Sequence, residues 1–294
     1  MKRIALFAVS ALAAAALAAS PPESGWQSVD EVFGFAGKDL PGGVHRFGWP
    51  RSDLHVTIGG VAVEPGVALG SWAGFVQAAP GGPAMTMGDL VLLDSELDPV
   101  LGELSSGGFE ILAIHNHLAG ESPHVMYVHF HGHGDAAALA KTLKAALAKT
   151  KTPAPGKSAA TPTADQTQTF EKLQAALGRK GTMAGTVLQV GVPRTDAIHD
   201  GGMEVPASLG MSTSLNFQTV GAQVATSGDF VLVADEVNPV LRELRAHGIA
   251  PTALHSHMLR ESPRLFFMHF WAVGSPEAIG AGLKAALAKT AVKP

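Results

Sequence analysis

The chain has 294 residues, 46% of them hydrophobic and 16% charged, a balance that suits a packed globular body and excludes a disordered one. Its formal net charge is -4 and its 21 Lys and Arg are scattered rather than gathered into a stripe, so no surface is built to neutralise phosphates and nucleic acid is not an expected partner. Cys is absent, which excludes disulfides, thiolate ligands and lipidation of a cysteine.

The chain opens on Met1-Lys2-Arg3, followed by the short Ala/Leu-rich run Ile4 to Leu17 and by Ala16-Leu17-Ala18. A positive start, a short apolar stretch and an AxA site read as a secretory signal over residues 1–18, cut after Ala18. No later stretch approaches the about 20 consecutive apolar residues of a membrane span. The expectation is a periplasmic or secreted protein with no membrane anchor after cleavage.

Residues 88–150 align without a gap to residues 228–290 at a constant offset of 140, with 29 identities in 63 positions. The identities include GDxVL, ExxPVLxEL, HxHxxxESP, HF and KAALAKT. Further back, Arg51-Ser52-Asp53 matches Arg194-Thr195-Asp196, Glu64 matches Glu204, and Leu69-Gly70 matches Leu209-Gly210. Self-similarity of this kind means one structural unit used twice. The units are placed at 26–150 and 167–290, joined by a Lys/Thr/Pro/Ala-rich linker at 151–166.

Taken in order, Ser28 to Phe35 and Phe170 to Leu177 are expected to open the units as helices. Short strands are predicted at Leu54 to Ile58, Trp72 to Gln77 and Leu90 to Leu93, between Gly and Pro clusters. Glu96 to Leu104 reads as a helix capped by Asp94 or Ser95 and stopped by Gly107-Gly108. Strands Glu110 to Leu118 and Val125 to His133 follow, joined through Gly120 and Pro123, before the amphipathic helix Asp135 to Ala148. This is an α+β pattern: two homologous repeats, each a mainly antiparallel sheet with helices packed on one face.

Side-chain alternation puts Ile111, Ala113, His115 and His117 on one face of the first of these strands, and Val125, Tyr127, His129, His131 and His133 on one face of the second. An antiparallel register with His115 opposite His129 gathers the histidines, and Glu121 in the turn is expected to reach back to them. His255, His257, Glu261 and His269 repeat the pattern, whereas His131 and His133 become Trp271 and Val273. Imidazole and carboxylate suit a divalent transition metal (Zn, Fe, Mn, Ni or Cu), so His115, His117, Glu121, His129, His131, His255, His257, Glu261 and His269 are the candidate ligands. Arg51 with Asp53, and Arg194 with Asp196, are read as structural ion pairs rather than an anion site. Asp89 and Asp229 are read as turn carboxylates, and Trp72, Tyr127, Phe267 and Trp271 as core or pocket wall.

The HxHxxxE spacing resembles the first metal motif of cupins, although neither copy carries the second cupin motif. A broader resemblance is to the DUF1259 family, also called LppY/LpqO. It is carried by Met87-Gly88-Asp89-Leu90-Val91-Leu92, Glu96 to Val100, His115-Asn116-His117, Gly228-Asp229-Phe230, Glu236 to Val240, His255-Ser256-His257-Met258, and Pro263-Arg264 through His269-Phe270-Trp271. The resemblance implies an exported two-repeat protein and no particular reaction.

Two functions follow from the residues. The first is an exported module that binds a transition metal, with a small-molecule or cell-envelope ligand as a further partner. The alternative is a metal-dependent hydrolase with Glu121 or Glu261 as catalytic base, or a cupin-like oxidoreductase.

Overall fold

The structure is a computed structural model that describes residues 25–79, 81–156 and 160–293; the expected signal at 1–18 lies outside the described residues. Each half contains a six-stranded, fully antiparallel sheet of identical topology. In the first the spatial order is Lys38–Leu40, Val44–Pro50, Gly70–Gln77, Ala84–Leu93, Val125–Gly134, Glu110–His115. In the second it is Thr182–Ala184, Val187–Pro193, Ser212–Val220, Gln223–Leu232, Phe266–Gly274, Ala250–His255. The strand ending at His115 or His255 is therefore an edge in each repeat, with the strand carrying His129 or His269 beside it.

Helices cover one face of each sheet, as the alternation predicts. Asp94–Ser106 and Ala136–Leu147 send Val100, Leu104, Leu139 and Leu143 against Phe47, Phe75, Leu90 and Phe130. Ala164–Leu177, Ala234–Ala246 and Pro276–Leu287 do the same in the second half around Phe217, Phe230 and Phe270. The other sheet faces turn towards each other. Val44, Met85, Met87 and Leu112 of the first half join Leu209, Val231, Met258 and Phe267 of the second in one buried cluster, so the layers run helix, sheet, sheet, helix. Among the described residues no helix is long and apolar enough to cross a membrane.

Several boundaries differ from the sequence expectation. The second opening helix starts at Ala164, inside the segment read as linker, because Thr163 and Gln166 form a reciprocal cap across its first turn. Leu54 to Ile58 is strand only at Thr57–Ile58, which pairs with Glu121–Ser122. The Ala84–Leu93 strand is longer than Leu90 to Leu93, and Lys38–Leu40 and Val44–Pro50 are strands that the pattern did not reveal.

The RxD repeat is structural in both halves. Arg51, fully buried, donates to both oxygens of Glu96, to both of Asp53 and to the Val91 carbonyl. Arg194 donates to both oxygens of Glu236, twice to Oδ2 of Asp196 and to the Val231 carbonyl. The arginine thereby ties a loop, a strand end and the N-terminus of a helix. Burial opposes ionisation of Asp53, but Arg51 more than reverses this and holds the carboxyl below its usual range.

Arg51→Ala would leave Glu96 buried without its counter-charge, and urea denaturation should show a loss of about 3–5 kcal/mol. Asp53→Asn, at the partly exposed end of the pair, should lose about 1 kcal/mol or less. Equal losses for the two variants would contradict the assignment of Glu96 as the anchored partner.

Candidate metal centre

The two histidine edges meet where the sheets face each other. Glu110–His115 pairs antiparallel with Val125–Gly134, but His129 lies opposite Ala113 and His115 opposite Tyr127, two residues away from the expected register. The ladder also shifts by one residue at a bulge between Ile111 and Ala113, and the second repeat has its own bulge between Pro251 and Ala253. The bulge also splits the expected face: Ile111 packs against the helix-side core, while Leu112 is buried between the sheets. Beyond the bulge His115 is aimed at the facing repeat. The loop carrying His117 is held across the seam, because Asn116 donates to the Thr252 carbonyl at 3.1 Å and the Thr252 hydroxyl donates to the His117 carbonyl.

Six imidazoles interleave there. His115 stacks on His255 with ring centroids 3.8 Å apart, His117 lies 3.8 Å from His269, and His129 lies 3.7 Å from His257. Each of these close pairs joins one repeat to the other. Tyr127 and Phe267 back the set, stacked on His117 and His257 at 3.4 Å. The candidate ligand atoms form overlapping groups, each within 4.8 Å: Asp89 with His115, His117 and His129; His115 with His255 and His269; His129 with His255 and His257. The second and third groups draw on both repeats.

The carboxylates at the centre are Asp89 and Asp229. Both sit in mid-strand rather than in a turn, which corrects their reading as turn residues. Asp89 is opposite Trp72 on one side and His129 on the other, and its Oδ2 lies 3.1 Å from His117 Nε2; Asp229 stands 3.1 Å from His257 Nε2. The repeated Gly-Asp has a physical reason. A Cβ at Gly88 would strike the Trp72 carbonyl and the Phe130 ring on the helix side, and Gly228 is confined in the same way by Ser214 and Phe270, while the next residue delivers its carboxylate to the seam. Identity at the offset of 140, inside a strand pattern, was the signal available in the sequence.

Glu121 and Glu261 serve their own loops. Glu261 accepts from the Leu265 amide at 2.9 Å and pairs with Arg264; Glu121 approaches the Val125 amide at 3.5 Å and His124 Nε2 at 3.8 Å. Neither belongs to the groups above. His131 also stands apart: its Nδ1 is 3.7 Å from Asp200 and 3.9 Å from Glu110, and its ring lies against His133.

Among the described residues, twelve buried side-chain nitrogen or oxygen atoms have no hydrogen-bond partner, and ten of them are in this constellation. They include both ring nitrogens of His115 and of His255 and the Nε2 of His117, His129, His257 and His269. His117 Nε2 is close to Asp89 but out of hydrogen-bonding alignment. At about 1–3 kcal/mol per unsatisfied buried group, these atoms would together cost on the order of 10–30 kcal/mol. That rivals or exceeds the ~5–15 kcal/mol by which domains are stable. A bound group that accepts nitrogen lone pairs fits this donor set. Burial also favours the uncharged imidazole, which is the form that ligates a metal. Burial, reinforced by neighbouring rings, holds His115, His117, His129 and His255 far below the usual range, and burial alone does so for His257. Burial raises Asp89 well above its usual range, with Asp229 adding to the effect, and raises Asp229 to about 6.

A cavity of about 710 Å³ reaches the centre at Asp89, His117, His129, Asp229, His257 and His269. The centre is thus open on one side.

The fold and this seam define a class: a two-repeat α+β protein with a histidine and aspartate centre made by both copies. The chain belongs to the family described as Domain of Unknown Function (DUF1259), which matches residues 27–149 and 171–289. No curated protein matches. Among solved structures, the chain is similar to one described as "Crystal structure of a trimeric bacterial microcompartment shell protein PduB", at 12% identity over 87% of this chain and 90% of that one, with a TM-score of 0.23.

With the folded-state histidines held below the ordinary imidazole value of about 6.5, the unfolded chain binds protons first as pH falls. Stability of the chelator-stripped protein should therefore be complete above about pH 6.5 and fall below it, by about 1.4 kcal/mol per pH unit for each such group. Denaturant midpoints between pH 8 and pH 5 measure this, and a flat profile would contradict it.

Proposed function

We propose that the protein binds a divalent transition metal at the seam between its repeats, with Asp89, His115, His117 and His129 as one ligand group and His255, His257 and His269 completing the constellation. The observation that carries this reading is the concentration of ten unpaired buried ligand atoms in eight residues. The donors are nitrogen and oxygen only, which suits Zn, Fe(II), Mn, Ni or Cu(II). Its place of action is proposed to be the periplasm or the exterior, from the N-terminal signal pattern.

The open cavity favours a second reading, metal-dependent catalysis, since a ligand can approach the centre from one side. In that reading Asp89 and Asp229, which face the cavity, are the proton-handling carboxylates in place of Glu121 and Glu261. Glu121 and Glu261 keep a role in holding their loops.

Elemental analysis of protein purified from its native compartment should find stoichiometric metal. Asp89→Asn and the His115→Ala, His117→Ala double variant should lose most of it, whereas Glu121→Gln should retain it. Metal-free wild type, or loss on Glu121→Gln with retention on Asp89→Asn, would overturn the assignment.

A further inference from the structure

The two repeats are not equivalent where they line the cavity. Following the ladders across the first sheet, Lys38 is opposite Arg46, and one row further along Trp72 is opposite Asp89. The same rows of the second sheet place Thr182 opposite Gln189 and Ser214 opposite Asp229. Two cations and an indole in one copy are thus an amide and two hydroxyls in the other.

Like charges directly opposed on neighbouring strands are destabilising. Lys38 and Arg46 are so opposed, both line the cavity, and among the described residues neither has a carboxylate within 4.0 Å or a side-chain hydrogen bond. The Arg46 guanidinium instead lies over the Trp72 ring, 4.0 Å from its centroid, which holds its fork of donors in a fixed plane. Burial lowers Arg46 to about 10, with Asp89 working in the opposite direction, so the cation remains charged and poorly solvated. The facing wall offers Gln189, Ser212, Ser214, Asn216 and Ser227. A cationic wall with no carboxylate within 4.0 Å of its charges and a wall of neutral hydrogen-bonding groups enclose one space beside the metal centre.

We infer that this cavity is a binding site for a small polar oxyanion, a carboxylate or a phosphate, held by Arg46 and Lys38 with its other end towards the histidine and aspartate centre. Arg46 on Trp72 gives the planar, two-pronged recognition that such groups take, and Lys38 adds charge at the mouth. The repeat-2 wall recognises the neutral polar remainder of the molecule. The inference rests on the metal reading only for what lies at the inner end.

The test uses the variants Arg46→Gln and Lys38→Thr, which install the second repeat's own residues at equivalent positions. Inorganic phosphate and succinate are titrated calorimetrically into the full chain at low salt, and metal content and thermal midpoint are measured on the same samples. Saturable binding of at least one anion is expected, weakened roughly tenfold to hundredfold by Arg46→Gln and less by Lys38→Thr. The thermal midpoint and metal content should not change. Phosphate alone as the binder assigns a phosphate-bearing ligand, and succinate alone a carboxylate. No saturable binding to the wild type, or binding that Arg46→Gln leaves unchanged, overturns the anion site even where metal is present. A metal-free wild type that still shows Arg46-dependent binding supports the anion site while sinking the metal reading. If Arg46→Gln lowers the thermal midpoint, the exposed Lys38→Thr decides: an unchanged affinity there also overturns the proposal.

Discussion

Six imidazoles and two carboxyls taken out of water at the seam between two sheets are the constraint on which the rest of this molecule depends. Each sheet could bury its helix-side face alone, as the two separate cores around Phe130 and Phe270 show. The seam faces cannot be understood one repeat at a time. The closest contacts between imidazoles, His115 with His255, His117 with His269 and His129 with His257, all cross from one copy to the other. The bulges that aim the edge strands, the Thr252 staple on the His117 loop and the glycine beside each aspartate all serve that meeting.

Duplication explains why the centre is symmetric, and divergence explains where it is not. The residues that touch the histidine centre are nearly the same in both halves. Further out, Trp72 one strand and Arg46 two strands from that of Asp89 share the cavity with Gln189 and Ser214, and His131 has Trp271 as its counterpart. A centre that only stored an ion would have no use for a cationic wall beside it. Arg46, Trp72, Gln189 and Ser214 all line the cavity, which is where a ligand would read the two halves differently.

Much of the fold was legible because repetition multiplied weak local signals. The pattern over 110–148 predicted strand, strand and helix, and the antiparallel pairing of the histidine strands followed from their short connection. Register did not, because the loop between the strands leaves the pairing open by a residue or two, and neither Leu112 nor Thr252 announces the bulge that shifts the ladder by one more. The aspartates were misread because a carboxylate after glycine is more often a turn than a mid-strand ligand; only the sheet, which sets Asp89 opposite His129 and brings His117 alongside, gives it its neighbours. Glu121 was chosen for its spacing from the histidines, but a spacing says nothing of direction, and its carboxylate turns to its own loop. Arg46 was invisible, since its partner is an indole that only the sheet brings alongside.

The central claim is that the metal lies between the repeats and takes ligands from both. Crystals of the native protein, measured at the absorption edge of whichever metal elemental analysis identifies, would place it directly. The account predicts an anomalous peak at the seam within bonding distance of imidazole nitrogens from both the 115–129 and the 255–269 segments. A peak beside Glu121 or His131, or one bonded to a single repeat with the other's histidines turned away, would contradict it.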